Sequence, residues 1–431
     1  MTTGNIHQMR RRVVAVGIAG NVMEWYDFAV YGYFARTIGL LFFPGDDPTT
    51  RLIEAYAVFA VGFLMRPLGA IVFGYIGDRV GRGPALLWSV IAMAVPTLVM
   101  GLLPTFNQIG IAAPILMVVC RMVQGLAVGG EYTGSAVFLA ETAAPDRRGQ
   151  AAAWAPFGAI AGILLGSITA TVVLNLLPLE FVQDWGWRIP FLLGVVVGGV
   201  GFLLRRRLAI DPPPARSGFP LAEAMEHHWM AIIQGVAISL INAIPFYISF
   251  VYILPWLRSY ADLSARNAGI VNSANMLIIV LVIPAAAWLS DRVGRKPILV
   301  SAATGLVLLA WPLFRLMEVG EIWAVFLGQF GIALLIGIYA AVSPITLSEL
   351  FPRGVRCSAV SVTHNLSAGL AGGTAPMVAE WLISRTGYSL APAVYVTLAA
   401  ALSLVAALSL RGGYSALAAE TVSIEPAISR A

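Results

Sequence analysis

Lysine is almost missing from these 431 residues: Lys296 is the only one, and Pro297 follows it. A phosphate-cradling G-x4-G-K-[ST] loop is therefore absent, which argues against an ATP motor of that type, and a pyridoxal Schiff-base enzyme is disfavoured with it. Charged residues are scarce too, at 11% against about 25% in a soluble globule. Two cysteines, Cys120 and Cys357, are too few for a disulfide framework. No His-Glu-x-x-His and no Cys/His cluster occurs, so neither a metal nor another cofactor is expected. No cleavable leader is expected either, because the first apolar run is too long for one.

What the chain has in excess is apolar sequence, 59% of it, gathered into long runs. A run of roughly 20 apolar residues crosses about 30 Å of hydrocarbon as a helix, the one unclosed structure that satisfies its own backbone there. Twelve such spans are expected, near 13–43, 52–77, 84–104, 111–140, 149–177, 186–204, 229–256, 267–290, 297–317, 322–348, 356–383 and 389–410. With both termini on one side, 18 of the 27 Lys and Arg residues fall in the loops of that side and six on the other. The positive-inside rule makes the richer side cytoplasmic. The net charge of +5 then faces anionic headgroups and needs no nucleic acid.

A duplication is visible. Asp-Arg-Val-Gly-Arg occurs at Asp78–Arg82, between the second and third spans, and again at Asp291–Arg295, between the eighth and ninth. Glu141 with Pro145 and Arg148 closes the fourth span, as Glu349 with Pro352 and Arg353 closes the tenth. The offset of about 210 residues predicts an all-α membrane protein of twelve transmembrane helices in two pseudo-symmetric six-helix halves. The halves are 1–204 and 229–410, with a linker at 205–228 and a short tail at 411–431. Asp78, Arg79, Arg82, Asp291, Arg292, Arg295, Glu141 and Glu349 are candidates for a cytoplasmic gate, made by charges that pair across that face and separate when the halves rock.

The doubled G-x3-D-R-x-G-R pattern resembles the major facilitator superfamily signature. Four further stretches resemble its metabolite:proton symporter family: GNVMEWYDFAVYG at 20–32, FLMRPLGA at 63–70, RMVQGLAVGGEYTG at 121–134 and WGWRIPFL at 185–192. The resemblance implies a secondary transporter of the bacterial inner membrane, driven by protons and not by ATP, for betaine or proline or for di- and tricarboxylates. Gly83 and Ala287 depart from the signature, and the tail shows no apolar heptads, so no coiled coil is expected there.

An ionisable residue inside a span costs several kcal/mol unless it is used or paired. Glu24 and Asp27 lie three apart on the first span, and Arg121, Gln124 and Glu131 are expected on one stripe of the fourth. Arg66 is placed deep in the second span. Two cations against three carboxylates leave one negative charge over, which would exchange a proton readily. Glu24, Asp27 and Glu131 are therefore the candidate proton-coupling residues, and Arg66 and Arg121 the candidate anchors for a substrate carboxylate, with Gln124 beside them. Trp25 and Tyr31 are candidate aromatic walls, suited to an ammonium group. The later half offers no comparable carboxylate; its candidates are Asn242, Tyr247, Tyr252, Asn272, Asn275, Tyr339, His364 and Asn365, of which Asn242, Tyr247 and Asn365 are assigned to substrate. The expected partners are a small carboxylate or zwitterion and the lipid bilayer, with the chain a monomer. A non-transporting membrane sensor on the same fold is the alternative.

Overall fold

The computed structural model describes residues 3–79, 82–205 and 220–410. Among them there is no strand, and each of the twelve apolar runs is helical. Among the described residues eight stretches are long and apolar enough to cross a membrane, including Ala112–Glu141, Trp229–Tyr260, Ala265–Val293 and Ile322–Leu350. Large apolar side chains on their outer surfaces stay exposed, including Ile71, Ile115, Leu281 and Leu398. That is the surface a lipid solvent selects, since tails are as apolar as leucine. Exposed tryptophans stand near helix ends: Trp88, Trp229 and Trp288 towards the Asp291–Arg295 turn, Trp185, Trp323 and Trp381 towards the other side. Indoles favour the two membrane–water interfaces in this way. The side of the Asp291–Arg295 turn is called the motif face below, and the other the far face.

Several runs are broken where the sequence allows it. The first splits at Phe34 into Thr3–Tyr33 and Ala35–Phe42, and the second at Met65 into Pro48–Leu64 and Arg66–Arg79. Gly129 and Gly130 part Ala112–Val128 from Glu131–Thr142. In the later part of the chain the helix Trp229–Tyr247 passes into a π-helical turn at Ile248–Tyr252, and Arg356–Leu366 into another at Ser367–Gly372. Pro245 stands just before the first of these, where its missing N–H already loosens the ladder. The linker is not wholly extended: Pro220–His227 is a short helix whose Ala224 packs with Phe351 and Val355.

Small residues set the helix spacing that positions the site. Gly158 and Gly162 lie on the backbone of Ile18 and Val22, so these two helices pack closely there. A second contact matters more. Gly125 meets the Gly62 carbonyl, and Gly129 meets the backbone of Arg66 and Gly69. Any Cβ at these positions would force apart the two helices that carry Arg66 and Arg121.

Candidate substrate and proton site

Four ionisable groups meet in the earlier part of the chain, all within 2% of full burial: Glu24, Asp27, Arg66 and Arg121. Glu24 and Asp27 come from adjacent turns of one helix but reach different neighbours. Glu24 Oε1 accepts from Arg66 Nη2 at 2.5 Å. Asp27 Oδ2 accepts from the Thr97 hydroxyl at 2.7 Å. Space for the Asp27 carboxylate comes from Gly194, where an added Cβ would collide with it.

Aromatic rings take the place of water around both guanidiniums. Arg66 Cζ lies 4.9 Å from the Trp25 ring, 5.2 Å from Phe28 and 4.8 Å from Phe63. Arg121 Cζ lies 4.3 Å from Phe28, 4.6 Å from Tyr31 and 5.5 Å from Phe59. Ring faces attract cations, and the attraction grows when water is excluded. The Tyr31 hydroxyl is turned away to the Ala55 carbonyl at 3.0 Å, leaving its ring to Arg121.

A hydrogen-bonded relay joins Arg121 to Asp27. Arg121 Nη1 donates to Gln124 Oε1 at 2.9 Å, and Gln124 Nε2 donates to Thr97 Oγ1 at 2.8 Å. Thr97 completes it at Asp27. Among the described residues Arg121 has no ion-pair partner, and its Nε and Nη2 make no hydrogen bond.

From the later part of the chain Tyr247 reaches this cluster, stacking on Trp25 with ring centres 6.5 Å apart and meeting Phe63 edge-on at 5.3 Å. Tyr132 extends the aromatic wall from Trp25 (5.9 Å) to His364 (4.7 Å). Other expected members stand elsewhere. Asn242 donates to Ser343 Oγ at 2.5 Å, within the later part, and makes no hydrogen bond to either arginine. Asn365 donates to the Gly129 carbonyl at 2.6 Å, bracing the glycine break. That break also corrects the expected stripe. Glu131 opens a separate helix beyond Gly130, half-buried, and does not continue the face of Arg121 and Gln124.

On the motif face, Asp291 accepts from the backbone amides of Gly149 (2.8 Å) and Gln150 (3.0 Å), crossing from the later to the earlier part. Arg295 holds Asp291 at 2.7 Å and Glu349 at 3.4 Å. Arg292 stays on its own helix, over the Trp288 ring at 3.8 Å. Glu141 crosses to Arg356, a fully buried arginine outside the expected gate set. The side chains of Asp78, Arg79 and Arg82 lie outside the described residues. The far face is closed as well: Asn272 donates to Tyr33 and to Ser167, and Ser167 meets Ser273 at 2.9 Å.

The later part does hold a buried carboxylate, contrary to the sequence reading. Glu380, 8% exposed, accepts from the Tyr252 hydroxyl at 2.5 Å near the far face. It escapes notice because it lies three residues inside the expected end of its span at 383, where a carboxylate is ordinarily wet.

Comparison with known proteins agrees with this architecture. A family model described as sugar (and other) transporter matches residues 13–208, and one described as Major Facilitator Superfamily matches 235–425. The glycine betaine/proline/ectoine/pipecolic acid transporter OusA of Dickeya dadantii is 35% identical over 417 residues, 93% of this chain and 83% of that one. This chain belongs to the major facilitator superfamily. The proline/betaine transporter of Salmonella typhimurium is 34% identical over 419 residues, with the same shares. The ectoine/proline transporter ProP of Corynebacterium glutamicum is 35% identical over 414 residues, 91% of this chain and 82% of its own. Among solved structures, the proton:xylose symporter XylE bound to 6-bromo-6-deoxy-D-glucose superposes with a TM-score of 0.76, covering 93% of this chain and 94% of that one at 16% identity. That likeness is one of fold. The chain is accordingly an all-α, multi-pass membrane protein of the major facilitator fold.

Proposed function

We propose that the chain is a proton-coupled symporter, a carrier and not an enzyme, which takes up a small zwitterion of the proline or betaine kind. Arg121 carries this reading: a buried guanidinium in an aromatic box, tied to Asp27 only through two neutral side chains. A sugar has no charge for such a group to meet, whereas a substrate carboxylate does. The names of the relatives, which specify betaine, proline and ectoine, point the same way.

Thr97 supplies the coupling. Its oxygen lies 2.7 Å from Asp27 Oδ2 and 2.8 Å from the Met93 carbonyl, and a hydroxyl has one hydrogen to give. With Asp27 ionised, Thr97 donates to it, and the carboxylate offsets Arg121 through the relay. With Asp27 protonated, the acid donates to Thr97, and the threonine hydrogen turns to Met93. Gln124 donates to the same oxygen in both states. Arg121 is then left uncompensated and draws in a carboxylate. Proton and substrate strengthen each other's binding, as linkage requires.

The Glu24–Arg66 pair favours a zwitterion over a dicarboxylate. Arg66 is already neutralised, so one arginine awaits one carboxylate, while the Trp25 and Tyr247 rings suit an ammonium. A dicarboxylate would need Arg66 released from Glu24, which breaks a buried ion pair at a cost of about 3–5 kcal/mol. In this reading the motif face is cytoplasmic, the protein is a monomer in a bacterial inner membrane, and 13–204 rock against 229–410 about the buried cluster.

Proteoliposomes with an imposed pH gradient test this, with proline, glycine betaine and mono-, di- and tricarboxylates competing for uptake. Accumulation of a zwitterion that collapses with the gradient is expected. Binding without accumulation would turn the reading to a sensor, and preference for a tricarboxylate would overturn the substrate class.

A further inference from the structure

Glu380 is a buried carboxylate for which the coupling scheme has no use. It belongs to Ala375–Thr386, six residues before its far-face end, or about 9 Å of helical rise. Tyr252 closes a π-helical turn at similar depth. From the earlier part of the chain, Tyr56 and Arg36 come to the same level, on Pro48–Leu64 and Ala35–Phe42. Two elements from each part of the chain therefore converge on one place in the seam.

The contacts are specific. Tyr252 donates to Glu380 Oε2 at 2.5 Å, and its ring meets Tyr56 edge-on at 6.2 Å. Tyr56 is fully buried, and its hydroxyl has no hydrogen-bond partner among the described residues. Arg36 lies within electrostatic reach of both Glu380 and Tyr56. Tyr260 and Asp47 also act on Glu380, and Arg258 on Arg36. Asp47 is an exposed loop carboxylate occupied in capping Pro48–Leu64, with Thr50 holding its carboxyl below the usual range. Across the seam Tyr252 meets Tyr56 ring to ring, and Arg36 of the earlier part is the cation that acts on Glu380 of the later, without a direct ion pair among the described residues.

We propose, on the footing of the transport reading above, that Glu380 is the proton-responsive latch of the far face. Ionised, it attracts Arg36 across the seam while holding Tyr252 against Tyr56, and so favours the shut face. Protonated, it gives up the charge that spans the seam while keeping a hydrogen bond to Tyr252, and the face is freed to open toward the proton-rich side. Two acidic groups then divide the work: Glu380 governs access, and Asp27 governs the charge that substrate meets.

The test is thiol labelling from the far side. Ser273 lies against Ser167 in the closed seam, so Ser273→Cys, in a Cys120→Ser and Cys357→Ser background, reports opening to a membrane-impermeant maleimide. Rates are normalised to Val319→Cys, which is exposed on the same face, to remove the reagent's own pH dependence. Labelling is expected to rise as pH falls. Glu380→Gln should raise it roughly fivefold at neutral pH, the ratio that about 1 kcal/mol of lost pairing gives, and abolish the pH response; Asp27→Asn should keep that response. A Glu380→Gln protein that labels and titrates like its parent overturns the proposal, as does loss of the response in Asp27→Asn. If Glu380→Gln is not monodisperse on gel filtration, Arg36→Gln removes the other charge. It is expected to flatten the response equally, and a retained response would again overturn the latch. Absent uptake with an intact, Glu380-dependent labelling response would instead refute the transport reading and leave the latch standing.

Discussion

Arg356 reaches across the seam to Glu141, Nη1 to Oε1 at 2.6 Å, from a side chain that is itself almost fully buried. Its Nε is held at home by the carbonyls of Ser348 and Phe351, so the guanidinium is a fixed fork presented to the other part of the chain. Asp291 does the reverse, offering a carboxylate to the amides of Gly149 and Gln150. Asn272 and Ser273 join the two parts towards the far face, so among the described residues contacts between the two parts stand on either side of the buried cluster.

Glu141→Gln weakens the motif-face contact without disturbing Arg356's bonds to the Ser348 and Phe351 carbonyls. Hydrogen bonds to a charged group are worth about 1.5–3 kcal/mol, so the closed population should fall by roughly tenfold or more relative to the open one. Spin labels at Arg147→Cys and Val293→Cys, both exposed on this face, measure the change in a cysteine-free background. A longer-distance population should grow in the variant. Identical distance distributions would show that Glu141 does not hold the face shut.

Asp27→Asn fixes the relay in its uncharged form. Substrate binding should strengthen as pH falls in the parent, because protonating Asp27 uncovers the Arg121 charge, and should lose that dependence in the variant. Exchange of substrate between the two sides survives, while uphill accumulation under a pH gradient does not. Accumulation equal to the parent's would move the coupling group elsewhere.

The sequence made the helices legible because lipid demands long uninterrupted apolar runs, and it flagged Glu24, Asp27, Arg66 and Arg121 because charge is so costly at that depth. It could not show which charges meet. Glu24 and Asp27 look like a pair on one helix face, yet Thr97 and Gly194 claim one and Arg66 the other. Arg121 and Glu131 look continuous at helical spacing until Gly129 and Gly130 break the helix between them. Glu380 and Arg356 stand near expected span ends, where one-dimensional reading assigns charges to water, and the seam buries them. Tertiary contact across the two parts of the chain, which no local pattern encodes, decides each case.

Arg121→Lys keeps the charge and discards its shape. The Arg121 guanidinium stands close to the Phe28 and Tyr31 rings and still offers donors, whereas an ammonium is a hydrated point that stacks poorly. Affinity for the carboxylate substrate is expected to fall by about 10–100-fold, equivalent to about 1.5–3 kcal/mol, with the pH dependence of binding retained. Calorimetric titration of the purified protein measures both. Unchanged affinity would place the substrate carboxylate away from Arg121.

Trp25→Leu separates packing from recognition. Trp25 meets Arg66 of the earlier part and Tyr247 of the later, so it packs the two against each other. Leucine keeps apolar volume there but has no ring face, and a buried cation–π contact is worth about 2 kcal/mol. A quaternary ammonium such as glycine betaine presents only methyl groups and has no hydrogen to give to Glu24, so it depends on that face. Proline carries N–H donors and depends on it less. Betaine affinity should therefore fall by roughly tenfold or more and proline affinity by less, measured in the same competition assay. An equal loss for both, or for a carboxylate without any cationic group, would reduce Trp25 to a packing residue and leave Tyr247 and Tyr132 as the remaining rings to test.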